Sequence, residues 1–118
     1  MSRISKWFVR SEVACKCGCG LDSMDIQTLW IADEVRDFVG KPVVVSSGHR
    51  CHVHNLNVGG RLDSQHLHAR AMDLMVDDSE EVFKFLCAKY PDKYGFGLYK
   101  EFVHIDTKTG TGRRWMKA

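Results

Sequence analysis

Two histidines and one aspartate stand at positions from which they could bind one metal ion. His66 precedes Asp73 by seven residues, and His104 belongs to a separate apolar stretch further along the chain. Two imidazoles and one carboxylate are a common ligand set of catalytic zinc, which keeps its fourth position open for water. Zinc bound in this way polarises a carbonyl group and lowers the pKa of its water toward ~7. The three residues therefore predict a hydrolytic zinc site, against the alternative of ordinary polar residues.

Cysteines form a second group that could bind a metal. Three of the five lie within five residues, at Cys15, Cys17 and Cys19, whereas Cys51 and Cys87 stand alone. Structural zinc sites usually use spaced pairs of cysteines, so we favour small buried thiols or a turn here and keep a structural metal as the alternative. An odd number of cysteines, in a chain that opens without a secretory signal, argues against a disulfide framework.

Length and composition limit the classes of protein to consider. The chain has 118 residues, of which 44% are hydrophobic, and this predicts a single domain spanning residues 1–118. The net charge of +2 is too small for a dedicated nucleic-acid-binding surface, although it permits weak attraction to an anionic polymer. No stretch approaches the ~18 to 20 apolar residues that cross a bilayer. We expect a monomer that is made in the cytoplasm and acts elsewhere only after release.

The elements that must position these residues follow from periodicity and capping. Apolar residues at helical spacing predict a helix from Met24 to Gly40, with Asp22 and Ser23 as N-cap residues. Asp78 with Glu81 predicts a capped helix that ends near Tyr90. One helical turn is expected at 11–14, and 48–70 reads as a long polar loop. Strands or extended segments are predicted at 4–9, 43–45, 71–76, 95–99, 102–106 and 113–116. The order predicts an α+β fold with a small, largely antiparallel sheet and helices packed on it.

Several short motifs occur in a fixed order around the histidines and the aspartate. They are Ser46-Ser-Gly-His-Arg50-Cys, Asn55, Val58-Gly-Gly60, Ser64-Gln-His66, Ala71-Met-Asp73-Leu, Gly95-Phe-Gly-Leu-Tyr99, Phe102-Val-His104-Ile-Asp106 and Arg114-Trp115. Together with Phe8 and the cysteine-rich stretch, this set resembles the zinc D-alanyl-D-alanine carboxypeptidase family, in particular its short members from phage endolysins and prophages. The resemblance implies a Hedgehog-type fold, one zinc ion per chain on His66, Asp73 and His104, and the stem peptide of bacterial peptidoglycan as substrate.

The resemblance also assigns roles around the metal. Arg50 is expected to bind a substrate carboxylate, for which a guanidinium offers two parallel hydrogen bonds. Ser64 is expected to donate a hydrogen bond near the ion. Two departures from the family pattern affect the surroundings of the site: Ala69 stands where relatives usually have glycine, and His49 where they usually have tyrosine.

The general base has two candidates. Many relatives carry a glutamate three residues before the last histidine ligand, which corresponds to Glu101. Residues i and i+2 of a strand share a face, so Asp106 shares one with His104, whereas Glu101 points away unless a β-bulge re-aims it. Asp106 could instead orient a histidine ligand, and Glu101 could be a solvated charge. We favour Glu101 and keep Asp106 and other groups open.

Three functions remain in competition at this stage. The first is a zinc peptidase that acts on peptidoglycan as a carboxypeptidase or an endopeptidase. The second is a binding module of the same fold that keeps zinc without hydrolysis, against which the intact Arg50, Glu101 and Asp106 argue. The third is a redox or metal sensor built on the cysteines.

Overall fold

The structure is a computed structural model that describes residues 2–117. A five-stranded sheet packs against helices, so the predicted α+β class is confirmed. The α-helices are α1 (Arg10–Val13), α2 (Ile26–Val39), α3 (His52–Asn57) and α4 (Ser79–Lys89), with a short 3-10 helix at Gln65–His68. The strands are β1 (Val44–Ser47), β2 (Ala71–Met75), β3 (Gly95–Leu98), β4 (Phe102–Asp106) and β5 (Arg113–Met116). Within the described residues, no helix is both long and apolar enough to cross a membrane.

The sheet has the order β1-β2-β4-β3-β5 and is mixed rather than purely antiparallel. Neighbouring strands are antiparallel except β3 and β5, which run parallel. The reason lies in the order of the strands along the chain. Both edges of β4 are already occupied by β2 and β3, so the chain leaving β4 turns back and pairs with the free edge of β3. A strand that reverses after β4 must then run parallel to β3, which is itself antiparallel to β4.

Strand alternation divides the sheet into an apolar face and a polar face. Met72, Leu74, Val103, Ile105 and Phe96 are fully buried and belong to one hydrophobic core. The core is completed from the helices by α2, through Leu29, Ile31, Ala32 and Val35, and by α4, through Val82 and Leu86. The alternate positions of β2, β3 and β4 therefore point to the opposite face, where the candidate ligands lie.

Two sequence predictions about local structure are corrected. Helix α2 begins at Ile26, and its N-cap is Asp25, whose carboxylate accepts a hydrogen bond from the Thr28 backbone N–H at 3.1 Å. Asp25 also accepts a hydrogen bond from the hydroxyl of Thr107, so a tertiary contact selects it over the equally suitable Asp22 and Ser23. Residues 4–9 form bends and a single bridge between Arg3 and Val9 instead of a strand.

The polar segment 48–70 is not a continuous loop, because it contains α3 and the 3-10 helix. Asn55 in α3 is buried, donates a hydrogen bond to the carbonyl of Arg61 at 2.8 Å and accepts one from Arg50 at 3.1 Å. Contacts of this kind hold the short helix in place without any apolar periodicity. The 3-10 helix ends at Ala69, which adopts the left-handed conformation with φ 55°. Glycine, the usual residue of relatives at this position, adopts this conformation without a steric cost.

Candidate metal centre

The predicted ligands converge on the polar face of the sheet. Asp73 and His104 are paired residues at the centres of β2 and β4, so the register of the sheet places them side by side. His66 comes from the 3-10 helix. Ser64 caps the first turn of this helix, because its hydroxyl oxygen accepts a hydrogen bond from the His66 backbone N–H at 3.2 Å. One ligand atom from each of the three residues lies within 4.8 Å of the other two.

The outward contact of His66 defines which ring nitrogen faces the centre. Nδ1 of His66 lies 2.7 Å from the carbonyl oxygen of Gly48, and a carbonyl can only accept a hydrogen bond. Nδ1 therefore carries a proton, and in the neutral imidazole Nε2 presents a lone pair. Nε2 lies 3.2 Å from Oδ1 of Asp73, an atom that also carries lone pairs. At this separation the two atoms are in direct contact, and the His66 side chain is almost fully buried.

In His104 the roles of the two ring nitrogens are exchanged: Nε2 makes the outward contact and Nδ1 faces Asp73. Its Nε2 donates to Oδ2 of Asp106 at 2.8 Å, and its Nδ1 lies 2.9 Å from Oδ1 of Asp73. Asp106 is 1% exposed and is held in turn by Arg113 and by the backbone N–H of Lys108 at 3.2 Å. A carboxylate that orients a metal-binding imidazole through its far nitrogen fixes the tautomer and raises the basicity of the ligand.

The donor set fits zinc. With Zn–N distances of about 2.0–2.1 Å, the edges of a tetrahedral site are about 3.3 Å long. The edges from Oδ1 of Asp73 to His104 and His66 are 2.9 and 3.2 Å. Both far nitrogens have partners, so Nε2 of His66, Oδ1 of Asp73 and Nδ1 of His104 are the atoms left to bind a metal, and they lie within 4.8 Å of one another. A cation there would be bound by all three atoms.

The electrostatics of the metal-free site reflect this arrangement. Burial raises the pKa of Asp73, but the contacts with His104 and His66, which become hydrogen bonds when the facing ring nitrogen carries a proton, lower it well below the ordinary range of a carboxyl group. Burial also lowers the pKa of His104, and hydrogen bonds to Asp106 and Asp73 outweigh it, so the pKa of this imidazole is raised overall. Asp73 is therefore ionised and ready to bind a cation, while protons compete for His104.

A cavity of about 740 Å³ opens onto the three residues. Arg50 lines it and is held by three contacts: Nε donates to the Ser47 hydroxyl at 2.9 Å, Nη1 donates to Asn55, and Nη2 lies 3.5 Å from Oδ2 of Asp73. Ser64 also lines the cavity. The two predicted substrate-binding residues therefore lie at the same opening as the predicted ligands.

The glycines of β3 make room for the surroundings of His104. A Cβ atom on Gly95 would lie 2.5 Å from Oδ2 of Asp106, and one on Gly97 would lie 2.4 Å from Nε1 of Trp115. The indole of Trp115 lies beside the His104 ring, with 5.0 Å between ring centroids. Arg113 was missed by sequence reasoning, although the Gly-x-Gly spacing in β3 signals that bulky groups from neighbouring strands cross it.

The two candidate bases lie in different places. The register of β2 against β4 is regular from Phe102 to Asp106, so no bulge re-aims the start of β4. Glu101 is exposed and lines a separate depression with Lys41 and Asp77, outside the cavity of the predicted ligands. The structure thus does not support Glu101 as the base. Asp106 lines the cavity, but it lies on the far side of the His104 ring from Asp73.

The fold and the site define an α+β domain in which three candidate metal ligands lie at the opening of one cavity. The family model described as peptidase M15 matches residues 6–106. The chain belongs to this family of peptidases, as the sequence resemblance predicted. No curated protein matches the chain.

Proposed function

We propose that the protein is a zinc peptidase that hydrolyses peptide bonds of bacterial peptidoglycan. Membership of the peptidase M15 family supports the reaction class. The single observation that carries the proposal is that ligand atoms of His66, Asp73 and His104 lie within 4.8 Å of one another at the opening of one cavity. Each far nitrogen is already engaged by a carbonyl or a carboxylate, which leaves the inner atoms for a metal ion.

Zinc bound to these residues would polarise the carbonyl group of the substrate and lower the pKa of a bound water. The chain would orient the ligands through Gly48 and Asp106, and would bind the substrate through Arg50. The side chain of Arg50 is only 13% exposed and already fixed by Ser47 and Asn55, so little entropy is lost when it binds a carboxylate. The cavity also presents Arg61, Lys108, Arg113 and Lys117. This basic lining suits a stem peptide, which carries several carboxylates.

The geometry favours a positioning role for Asp106 over a role as base. Both of its oxygens are engaged, one by His104 and the other by Arg113 and the Lys108 backbone. A base must reach the metal-bound water, and the His104 ring separates Asp106 from the proposed zinc position. Among the described residues that line the cavity, Asp63 is the carboxylate without a histidine partner, but its Oδ1 accepts from Nε of Arg61 at 3.2 Å, and this hydrogen bond lowers its pKa. We propose that Asp106 positions His104 and that the base is another group.

Digestion of purified peptidoglycan tests the proposed function. The zinc-loaded protein is expected to release fragments whose masses, measured by mass spectrometry, identify a cut peptide bond and decide between carboxypeptidase and endopeptidase action. His66→Ala is expected to be inactive, whereas His68→Ala, a histidine of the same 3-10 helix outside the ligand set, is expected to be active. A zinc-loaded wild-type protein that binds peptidoglycan and releases nothing would instead indicate a binding module.

A further inference from the structure

A second cluster of metal-binding side chains lies apart from the histidines. Cys15, Cys17 and Cys19 belong to the loop between α1 and α2, and Cys51 is the N-cap residue of α3. The four sulphur atoms all lie within 4.8 Å of one another. The sulphur-to-sulphur separations are 3.4 Å between Cys15 and Cys17, 3.6 Å between Cys17 and Cys51, and 3.9 Å between Cys15 and Cys51.

We infer that these four cysteines form a second zinc site, which is structural rather than catalytic. Zn–S distances of about 2.3 Å give a tetrahedral site sulphur-to-sulphur edges of about 3.8 Å. The three separations given above, 3.4 to 3.9 Å, lie close to that value. Four protein ligands fill the coordination sphere of zinc, so no position remains for water or substrate.

Packing and disulfide bonding account less well for the cluster. The sequence favoured small buried thiols or a turn, but only Cys15 is buried, whereas Cys17 and Cys19 are exposed, so this is not a group of small core side chains. A disulfide joins two sulphurs at about 2.05 Å and leaves other thiols aside. Here Cys15 and Cys51 each lie at comparable distances from two partners, which is the arrangement of ligands around a centre.

The backbone is shaped around the sulphurs. Gly18, between Cys17 and Cys19, and Gly20, after Cys19, have φ values of 83° and 97°. These left-handed conformations, which glycine adopts without a steric cost, let the loop turn tightly around the sulphurs. The N–H of Cys51 donates to Sγ of Cys15 at 3.5 Å, and the N–H of His54 donates to Sγ of Cys51 at 3.3 Å. Donors directed at sulphur stabilise the thiolate form, which is the form that binds metals.

The proposed site would hold in place the segment that serves the first site. Cys51 directly follows Arg50, and Gly48, whose carbonyl accepts from His66, lies three residues before it. The same segment is tied to the loop after α1 by the N–H of His49, which donates to the Val13 carbonyl at 2.8 Å. The second zinc would therefore restrain the segment that contains Gly48 and Arg50.

Zinc analysis of matched variants tests the inference. Wild-type protein is expected to hold two zinc ions per chain, and the His66→Ala/His104→Ala double variant to hold one. Cys17→Ser/Cys51→Ser is expected to lose one ion relative to wild type, whereas Cys87→Ser, which alters the half-buried cysteine of α4, keeps both. The two proposals fail separately, since each set of variants removes its own ion. Zinc contents that do not differ between the cysteine variants would overturn the second site.

A measurement on unaltered cysteines covers the case in which the double serine variant does not fold. X-ray absorption at the zinc edge of the His66→Ala/His104→Ala protein is expected to show four sulphur neighbours at about 2.3 Å. An organomercurial that titrates thiols should release that zinc in step with loss of the four thiols. Nitrogen and oxygen neighbours only, or four thiols that react freely without zinc release, would show that the cluster binds no metal.

Discussion

Replacement of Asp106 by asparagine separates the role of a positioning residue from that of a base. Asp106 is 1% exposed, and its Oδ2 accepts from Nε2 of His104 at 2.8 Å. Asparagine has the same shape but carries no charge and brings two N–H donors. If its amide nitrogen faces His104, the imidazole must accept there, and its proton moves to Nδ1, the atom that would bind zinc.

The size of the effect follows from these contacts. A hydrogen bond to a charged group contributes about 1.5–3 kcal/mol and a neutral one about 0.5–1.5 kcal/mol, so loss of the charge alone costs about 1–1.5 kcal/mol. The unfavourable tautomer adds to this cost. We therefore expect zinc affinity to fall by about 10- to 100-fold, which is about 1.4–2.7 kcal/mol. Activity should recover in part when excess zinc is added.

Competition with a chromophoric chelator measures the affinity. Two binding steps are expected, and the step absent from His66→Ala reports on the site of interest. Glu101→Gln is the matched control, because it makes the same carboxylate-to-amide change outside the cavity and should leave both affinity and kcat near wild type. An Asp106→Asn protein that binds zinc as tightly as wild type and is inactive would refute the positioning role and identify Asp106 as the base.

Three further outcomes are expected. Arg50→Lys keeps the charge but loses the planar fork, so kcat/KM should fall by about tenfold or more, about 1.4 kcal/mol, with zinc content unchanged; a fully active variant would exclude the carboxylate-binding role. Asp25→Ala removes the N-cap of α2, so the free energy of unfolding measured in urea should fall by about 1–2 kcal/mol. Asp22→Ala should lower it by about 0.5 kcal/mol or less, and equal decreases would contradict the capping assignment. Because the pKa of His104 is raised, its imidazole stays protonated at pH values where a free histidine has lost the proton. Zinc uptake by metal-free protein should therefore begin to weaken above pH about 6.5 and weaken further as the pH falls; uptake that does not change over this range would contradict proton competition.

Sequence reasoning was most reliable where a local signal has a single structural reading. Asp78 caps α4 as predicted, with its carboxylate accepting from the Glu81 N–H at 3.1 Å, and Gly40 ends α2 in the left-handed conformation. Alternation along β4 correctly placed His104 and Asp106 on one face. Strand alternation also predicted that Glu101 points away from the ligands. We nevertheless favoured Glu101 because relatives carry a glutamate at this spacing, and the regular register of β4 contains no bulge that would re-aim it.

Features that depend on contacts between distant segments were not predictable in this way. Cys51 lies 32 residues beyond Cys19 in the sequence and joins the other cysteines only because the loop after β1 folds against the loop after α1. The parallel pairing of β5 with β3 depends on which sheet edge remains free. Helix α3 rests on the buried contacts of Asn55 with Arg50 and Arg61, and these carry no periodic signature.

The most direct test of the proposed zinc peptidase is the return of zinc to metal-stripped protein while peptidoglycan hydrolysis is followed. The account predicts no hydrolysis without metal, and a rate that rises in proportion to the zinc bound at His66, Asp73 and His104. His66→Ala should stay inactive at every zinc concentration that saturates wild type. Hydrolysis by the metal-free protein at the full rate, or none when this site is fully occupied, would contradict the central claim.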